Sequence, residues 1–180
     1  MTNATLTITS AGTWQLDPVH SSIGFEVSYL AGTFKGEFRK VDARLTVEDG
    51  RATLEGTADV TSVDVKDETL SAHLQSPDFF DAEREPTLQF VADDVRLDSE
   101  AVTAEGEITI KGVTKPVTVT GTVSGPLVDG YGRERIGLNL SAVIDRTDFG
   151  MNWNMPLPTG EPALGNEVTI VADVQFVKAA

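Results

Sequence analysis

Apolar and polar residues alternate with a period of two along almost the whole chain. Ile23, Phe25, Val27 and Tyr29 are spaced by polar or small residues, and so are Ala43, Leu45 and Val47. Later rows run Leu88, Phe90, Ala92, then Ala104, Gly106, Ile108, Ile110, then Val117, Val119, Gly121, Val123. The longest are Ile136, Leu138, Leu140, Ala142, Ile144 and Val168, Ile170, Ala172, Val174, Phe176. Such a period gives each strand one apolar and one wet face. Asp49-Gly50, between two rows, predicts a type I′ hairpin. Lys111-Gly112 also reads as a hairpin, with Gly112 at an unusual backbone angle and Lys111 and Lys115 facing water. Gly56, Gly106 and Gly121 fall inside rows, where a glycine marks the bend or bulge that lets a sheet curl shut. The pattern predicts an all-β fold, an extended antiparallel β-barrel of about eight strands, whose closure removes the exposed edges.

One helix interrupts the strands, near residues 67–75. Asp67 and Glu68 supply first-turn acids, Leu70 and Leu74 make an i, i+4 apolar pair, and Pro77 ends the run. Phe79-Phe80 follow at once. Residues 149–164 are the second irregular stretch, with Met151, Trp153, Met155 and Leu157. Paired strands cannot part without breaking ladder hydrogen bonds, so a ligand entering a barrel must pass through non-strand segments. At least one of these two is therefore expected at a cavity mouth. The domain reading is a loose tail over 1–12 and a single barrel over 13–179.

Charge narrows the function. The 180-residue chain carries 28 acidic and 14 basic residues, a net charge of −14. That field repels phosphate backbones and anionic lipid surfaces, against nucleic-acid binding and against stable membrane insertion or docking. Cysteine is absent, which removes disulfides, thiolate nucleophiles and cysteine metal sites. Met1 to Ser10 holds neither a basic residue nor an apolar run, so the expected location is cytoplasmic.

Catalytic chemistry finds little support. The only histidines are His20 and His73. Asp17-Pro18-Val19-His20-Ser21 contains acid, base and hydroxyl, but neighbours on one extended segment point in alternating directions and do not converge. Asp17 and His20 are expected instead to close a strand-entry turn by hydrogen bonding. The two histidines with Asp17 or Asp81 have no recognised metal-ligand spacing. No catalytic residue, metal or cofactor is assigned. The inward rows mix small residues (Gly56, Ala58, Ala92, Ala104, Ala142, Ala172) with bulky ones (Phe25, Phe90, Ile108, Leu138). Either the small side chains accommodate the large, or they leave volume for a ligand. Arg146 continues the inward parity of the Ile136–Ile144 row. Its guanidinium should sit at a cavity mouth, paired with Asp17, Asp81 or Asp148 or else with a ligand's polar head, the internal partner being favoured.

Four ordered blocks carry a resemblance. They are Trp14-x-x-Asp17-x-x-His20-Ser21-x-Ile23-x-Phe25-x-Val27, His73-Leu74-x-Ser76-x-Asp78-Phe79-Phe80-Asp81 with Pro86 and Phe90, Gly106-x-Ile108-Thr109-Ile110-x-Gly112-Val113-Thr114, and Arg146-x-Asp148-Phe149-Gly150. From about Trp14 to Val177 the chain resembles the YceI-like, polyisoprenoid-binding proteins of bacteria. The resemblance implies a lipocalin-like barrel whose elongated cavity holds an isoprenoid chain without chemical turnover. It departs from the family's pattern at Tyr29, where a histidine is frequent, and at Ser71-Ala72, where an Arg-Asp pair is common; these touch the head group rather than the barrel.

The resulting expectation is a protein that sequesters or carries a long-chain isoprenoid lipid, quinone-type or polyprenyl, without catalysis. The tail would contact Phe25, Val27, Phe38, Leu74, Phe79, Phe80, Phe90, Ile108, Ile136, Leu138, Leu140, Phe149 and Trp153. His20, Asp81 and Arg146 are the polar candidates for the mouth or head group. A homodimer is compatible with this reading. Burying hydrocarbon yields about 0.8 kcal/mol per methylene, so each isoprene unit contributes ~3–4 kcal/mol gross. Association costs about 4–15 kcal/mol, so several units must be enclosed. The rival is a filled barrel serving as a stress-associated or interaction protein with no lipid.

Overall fold

The computed structural model describes residues 11–179. Its strands are β1 (Gly12–Leu16), β2 (Ser22–Tyr29), β3 (Gly32–Phe38), β4 (Val41–Glu48), β5 (Arg51–Asp59), β6 (Val63–Asp64), β7 (Thr87–Asp98), β8 (Ala101–Ile110), β9 (Val113–Val128), β10 (Glu134–Asp145) and β11 (Leu164–Lys178). Helix α1 (Glu68–Gln75) is the single α-helix among the described residues, and Asp67 caps it by accepting from the Leu70 N–H at 2.8 Å. Residues 1–10 of the expected tail lie outside the described residues. Gly12 is already strand, opposite Val47, so the barrel starts one residue earlier than expected.

The described strands are antiparallel to their neighbours. Eight of them (β1, β4, β5, β7, β8, β9, β10 and β11) close a ring, sealed where β1 meets β11 at Trp14↔Lys178 and Leu16↔Phe176. Asp49 and Gly50 turn the β4–β5 hairpin with φ of 52° and 74°, the two left-handed angles that a type I′ turn requires.

β11 exchanges partners halfway. Its last residues pair with β1, whereas Leu164 to Asp173 pair with β2, and β3 follows β2. One end of the barrel therefore has β1 in the ring, and the other has the β2–β3 hairpin in its place. The seam between β3 and β4 is laced by the 3₁₀ turn Val60–Ser62: the Arg39 N–H donates to the Ser62 carbonyl and the Lys40 N–H to the Ser62 hydroxyl. An added strand widens a barrel, and the interior differs accordingly. At the β1 end Trp14, Leu45, Val102, Ile136 and Leu138 are at most 2 % exposed and fill the space. At the β2–β3 end the barrel is hollow.

Two glycines sit at close approaches that the sheet requires. A Cβ at Gly121 would lie 1.8 Å from the Asn139 carbonyl oxygen on β10, and one at Gly36 would lie 2.4 Å from the Phe25 ring. The first lets β9 draw in against β10. The second lets Phe25 lie across β3 on the cavity wall.

Candidate functional site

The hollow is a cavity of about 300 Å³. Its walls are apolar: Phe25, Val27, Phe34 and Phe38 from β2 and β3, Ala43, Leu54 and Ala58 from β4 and β5, Phe90 and Ile108 from β7 and β8, Leu140, Ala142 and Ile144 from β10, with Val174 and Phe176 toward the filled end.

The Ser76–Asp81 turn that follows α1 plugs this end. The Phe80 N–H donates to the Leu74 carbonyl and the Ala82 N–H to the Gln75 carbonyl, satisfying the last open carbonyls of the helix. The Phe79 and Asp81 N–H groups both return to the Ser76 carbonyl. This winding turns both phenylalanines inward, but into different neighbourhoods. Phe80 packs 6.2 Å from Phe25 and 5.7 Å from Phe38, centroid to centroid, in the wall. Phe79 joins His73 and Trp153, all three rings 4.9–5.5 Å apart. His73 and Trp153 are half-buried and Tyr29 is 38 % exposed, and all three line the cavity. The cavity reaches solvent among them. Both irregular segments singled out from the sequence border this mouth, through Phe79 and Phe80 on one side and Met151 and Trp153 on the other.

Arg146 holds the second segment. Asp145 caps a 3₁₀ turn over Arg146–Phe149, and Gly150, at φ 78°, ends it in the left-handed conformation. The chain then reverses, so that its carbonyls face back onto the guanidinium. Arg146 Nε donates to the Gly165 carbonyl at 2.8 Å, Nη1 to the Met151 and Trp153 carbonyls at 2.7 and 2.8 Å, and Nη2 to the Leu164 carbonyl and Asn166 Oδ1 at 3.5 and 3.3 Å. All five donors are used. The expected aspartate partner is not there: Asp17 lies near the β1 end, Asp148 is exposed, and Asp81 faces elsewhere. Carbonyl oxygens, a local supply that residue parity does not reveal, take the carboxylate's place. Burial pulls the Arg146 pKa below the ordinary arginine value, and the Asp145 charge partly opposes this.

Lys111 adds a brace. Lys111 and Gly112 turn the β8–β9 hairpin at φ of 53° and 76°, and this lysine is not simply solvated. Its Nζ donates to the Pro77 carbonyl at 2.5 Å and the Gly150 carbonyl at 3.3 Å, joining the two mouth segments.

Among the expected tail contacts, Phe25, Val27, Phe38, Leu74, Phe79, Phe80, Phe90, Ile108, Leu140 and Trp153 line the cavity. Ile136, Leu138 and Phe149 do not. The first two face inward, as their parity requires, but at the height of the filled half; Phe149, 2 % exposed, is packed in the core. His20 is also misplaced. It is exposed on a 3₁₀ turn and pairs with Asp17 at 2.7 Å, the turn-closing role expected for that pair. Asp17 in turn meets Arg135 at 2.8 Å, and Arg135 meets Asp129 at 2.7 Å. The Arg135 guanidinium, followed by His20, holds the Asp17 pKa down at about 2. Asp81, at φ 53°, lies outside the cavity beside Glu68, Gln75 and Glu83, because the chain reverses there after Phe80.

Phe34, Leu70 and His73 line the cavity without having been assigned to it. The Phe34–Gly36–Phe38 alternation would have revealed the first, and the Leu70–Leu74 spacing the second. His73, with Nε2 3.1 Å from Asp78 Oδ2, owes its place to the aromatic mouth rather than to a catalytic set. Among the described residues no group of three or more His, Cys, Asp or Glu side chains could hold a metal ion, and no helix is long and apolar enough to cross a membrane.

Comparison with known proteins agrees with this architecture. The solved structure of BcnA from Burkholderia cenocepacia superposes with a TM-score of 0.76 at 22% identity, covering 89% of this chain and 98% of that one. A polyisoprenoid binding domain from Saccharophagus degradans gives 0.72 at 11% identity over 94% and 100%, which shows a shared fold. A UPF0312 protein of Staphylococcus epidermidis is 32% identical over 171 residues, 91% of this chain and 96% of that protein. The model of the YceI-like domain matches residues 14–176. With its eight-strand ring, helical plug and apolar hollow, the chain belongs to the YceI-like family.

Proposed function

We propose that this protein binds the tail of a long-chain isoprenoid lipid in the hollow half of the barrel and sequesters or carries it without chemical change. One observation carries the reading: a continuous apolar cavity occupies one half of a barrel whose other half is packed solid. An apolar hollow of this size is a cost that an interaction scaffold gains nothing from, since each buried methylene left unfilled weakens the fold. A tail of several isoprene units repays it through burial. The histidines stand apart, His20 outside the cavity and His73 among aromatic rings, and neither faces a nucleophile that would complete an acyl-transfer set. The protein is proposed to act in the cytoplasm, which fractionation of its host would test, and as a monomer or homodimer, which light scattering would distinguish.

Native mass spectrometry of protein freshly purified from its own host, followed by lipid extraction, tests the reading. A discrete added mass that extracts as an isoprenoid is the expected result. His20→Ala, remote from the hollow, should retain the same mass. Protein that carries no lipid and fails to bind added geranylgeraniol would favour the filled-barrel alternative.

A further inference from the structure

The groups at the mouth bear on which head group a tail could carry. The cations there are already committed: Arg146 spends all five donors on the Met151, Trp153, Leu164 and Gly165 carbonyls and on Asn166, and Lys111 Nζ is drawn onto the Pro77 and Gly150 carbonyls. The one imidazole at the cavity, His73, faces Asp78. Arg146 is the one Lys or Arg side chain among the residues that line the cavity. A phosphate seated at the mouth finds no free guanidinium fork in that lining, and the chain's net charge of −14 repels it at range.

Neutral donors, by contrast, are available. Tyr29 lines the cavity at the rim, 38 % exposed, and its hydroxyl has no protein partner among the described residues. A phenol donates to a carbonyl and also accepts from an alcohol, so it suits an uncharged oxygen at the end of an apolar tail.

We infer that the ligand's head group is uncharged, a quinone carbonyl or an alcohol held by Tyr29, and that the mouth rejects tails ending in phosphate or diphosphate. This inference rests on the tail-binding reading above. It is tested with two probes of identical tail, geranylgeraniol and geranylgeranyl diphosphate, titrated into the full chain and followed by the emission of Trp153. The alcohol should bind at least about tenfold more tightly, as expected when a multiply charged anion meets an acidic protein with no free cation in the cavity lining, and added salt should narrow the gap. Tyr29→Phe should weaken the alcohol about three- to tenfold more than it weakens phytane, a hydrocarbon with no hydroxyl to read. Equal or tighter binding of the diphosphate would overturn the inference and leave tail binding standing. Equal effects of Tyr29→Phe on alcohol and hydrocarbon would remove the hydroxyl from it. Binding of neither probe would remove the tail-binding reading and this inference together.

Discussion

Replacing Arg146 by leucine tests how the mouth is held. The substitution removes five hydrogen bonds at once. The Leu164 carbonyl keeps another donor, Asn154 Nδ2 at 2.7 Å. The Met151, Trp153 and Gly165 carbonyls lose the guanidinium, and each buried acceptor left without a partner costs about 1–3 kcal/mol. Losing the desolvated charge returns part of that sum, because a cation only 3 % exposed was itself held at a cost. The net expectation is a loss of about 3 kcal/mol, or a fall in Tm of roughly 6–12 °C for a domain of this size. Urea unfolding followed by far-UV circular dichroism measures the first quantity and thermal melting the second. Acrylamide quenching of Trp153 should rise in the folded variant, since that segment loses its anchor. Arg146→Lys should recover only part of the loss, an ammonium having three donors and no planar fork. A leucine variant within 1 kcal/mol of the parent would refute the reasoning.

Other expectations follow from the division of the barrel and from its charges. Ala142→Leu, at the cavity wall, should stabilise the lipid-free protein by about 1 kcal/mol and abolish geranylgeraniol binding. Ala104→Leu, 1 % exposed in the packed half, should cost about 1–3 kcal/mol by overpacking. The same sign in both melts would mean that the two halves do not differ. Asp17 has a folded pKa of about 2 against an ordinary 3.8. Its depressed value gives stability that is complete above pH 4 and lost as pH falls toward 2. The effect should be about 1 kcal/mol after solvent screening, and Asp17→Asn should flatten the stability profile over that window. Gly121→Ala should be severely destabilising, with no room beside the Asn139 carbonyl, and would be read by loss of soluble expression or a sharply lowered urea midpoint.

Much of the barrel was legible because period-two alternation is a direct imprint of the pleat. The Ile136–Ile144 row faces inward throughout, as its parity requires. Parity assigns a face but not a height, however. Ile136 and Leu138 belong to the packed half and Leu140 to the cavity because β1 occupies one end of the ring and β2–β3 the other, a partner exchange that depends on contacts distant in sequence. Arg146 shows a second limit. Its inward position could be read from its row, whereas its partners are backbone carbonyls delivered by the reversal at Gly150, which no side-chain pattern records. Asp81 lies outside the cavity for a related reason, since the left-handed backbone there turns the chain away from the wall that Phe80 joins. The Phe79-Phe80 plug was readable as composition, but not that its two rings would divide between wall and mouth.

The partner exchange along β11 has a consequence for how the molecule breathes. Two different strands are fastened to one edge of β11, β1 on its last residues and β2 on the stretch before, and the β2 ladder already skips between Leu164 and Val168 beside the mouth. The rim can therefore fray from that gap while the clasp at Trp14 and Lys178 stays shut. Amide protons of Val27 to Phe34 should exchange with solvent well before those of Trp14 and Leu45, a local opening of the rim that leaves the rest of the barrel folded.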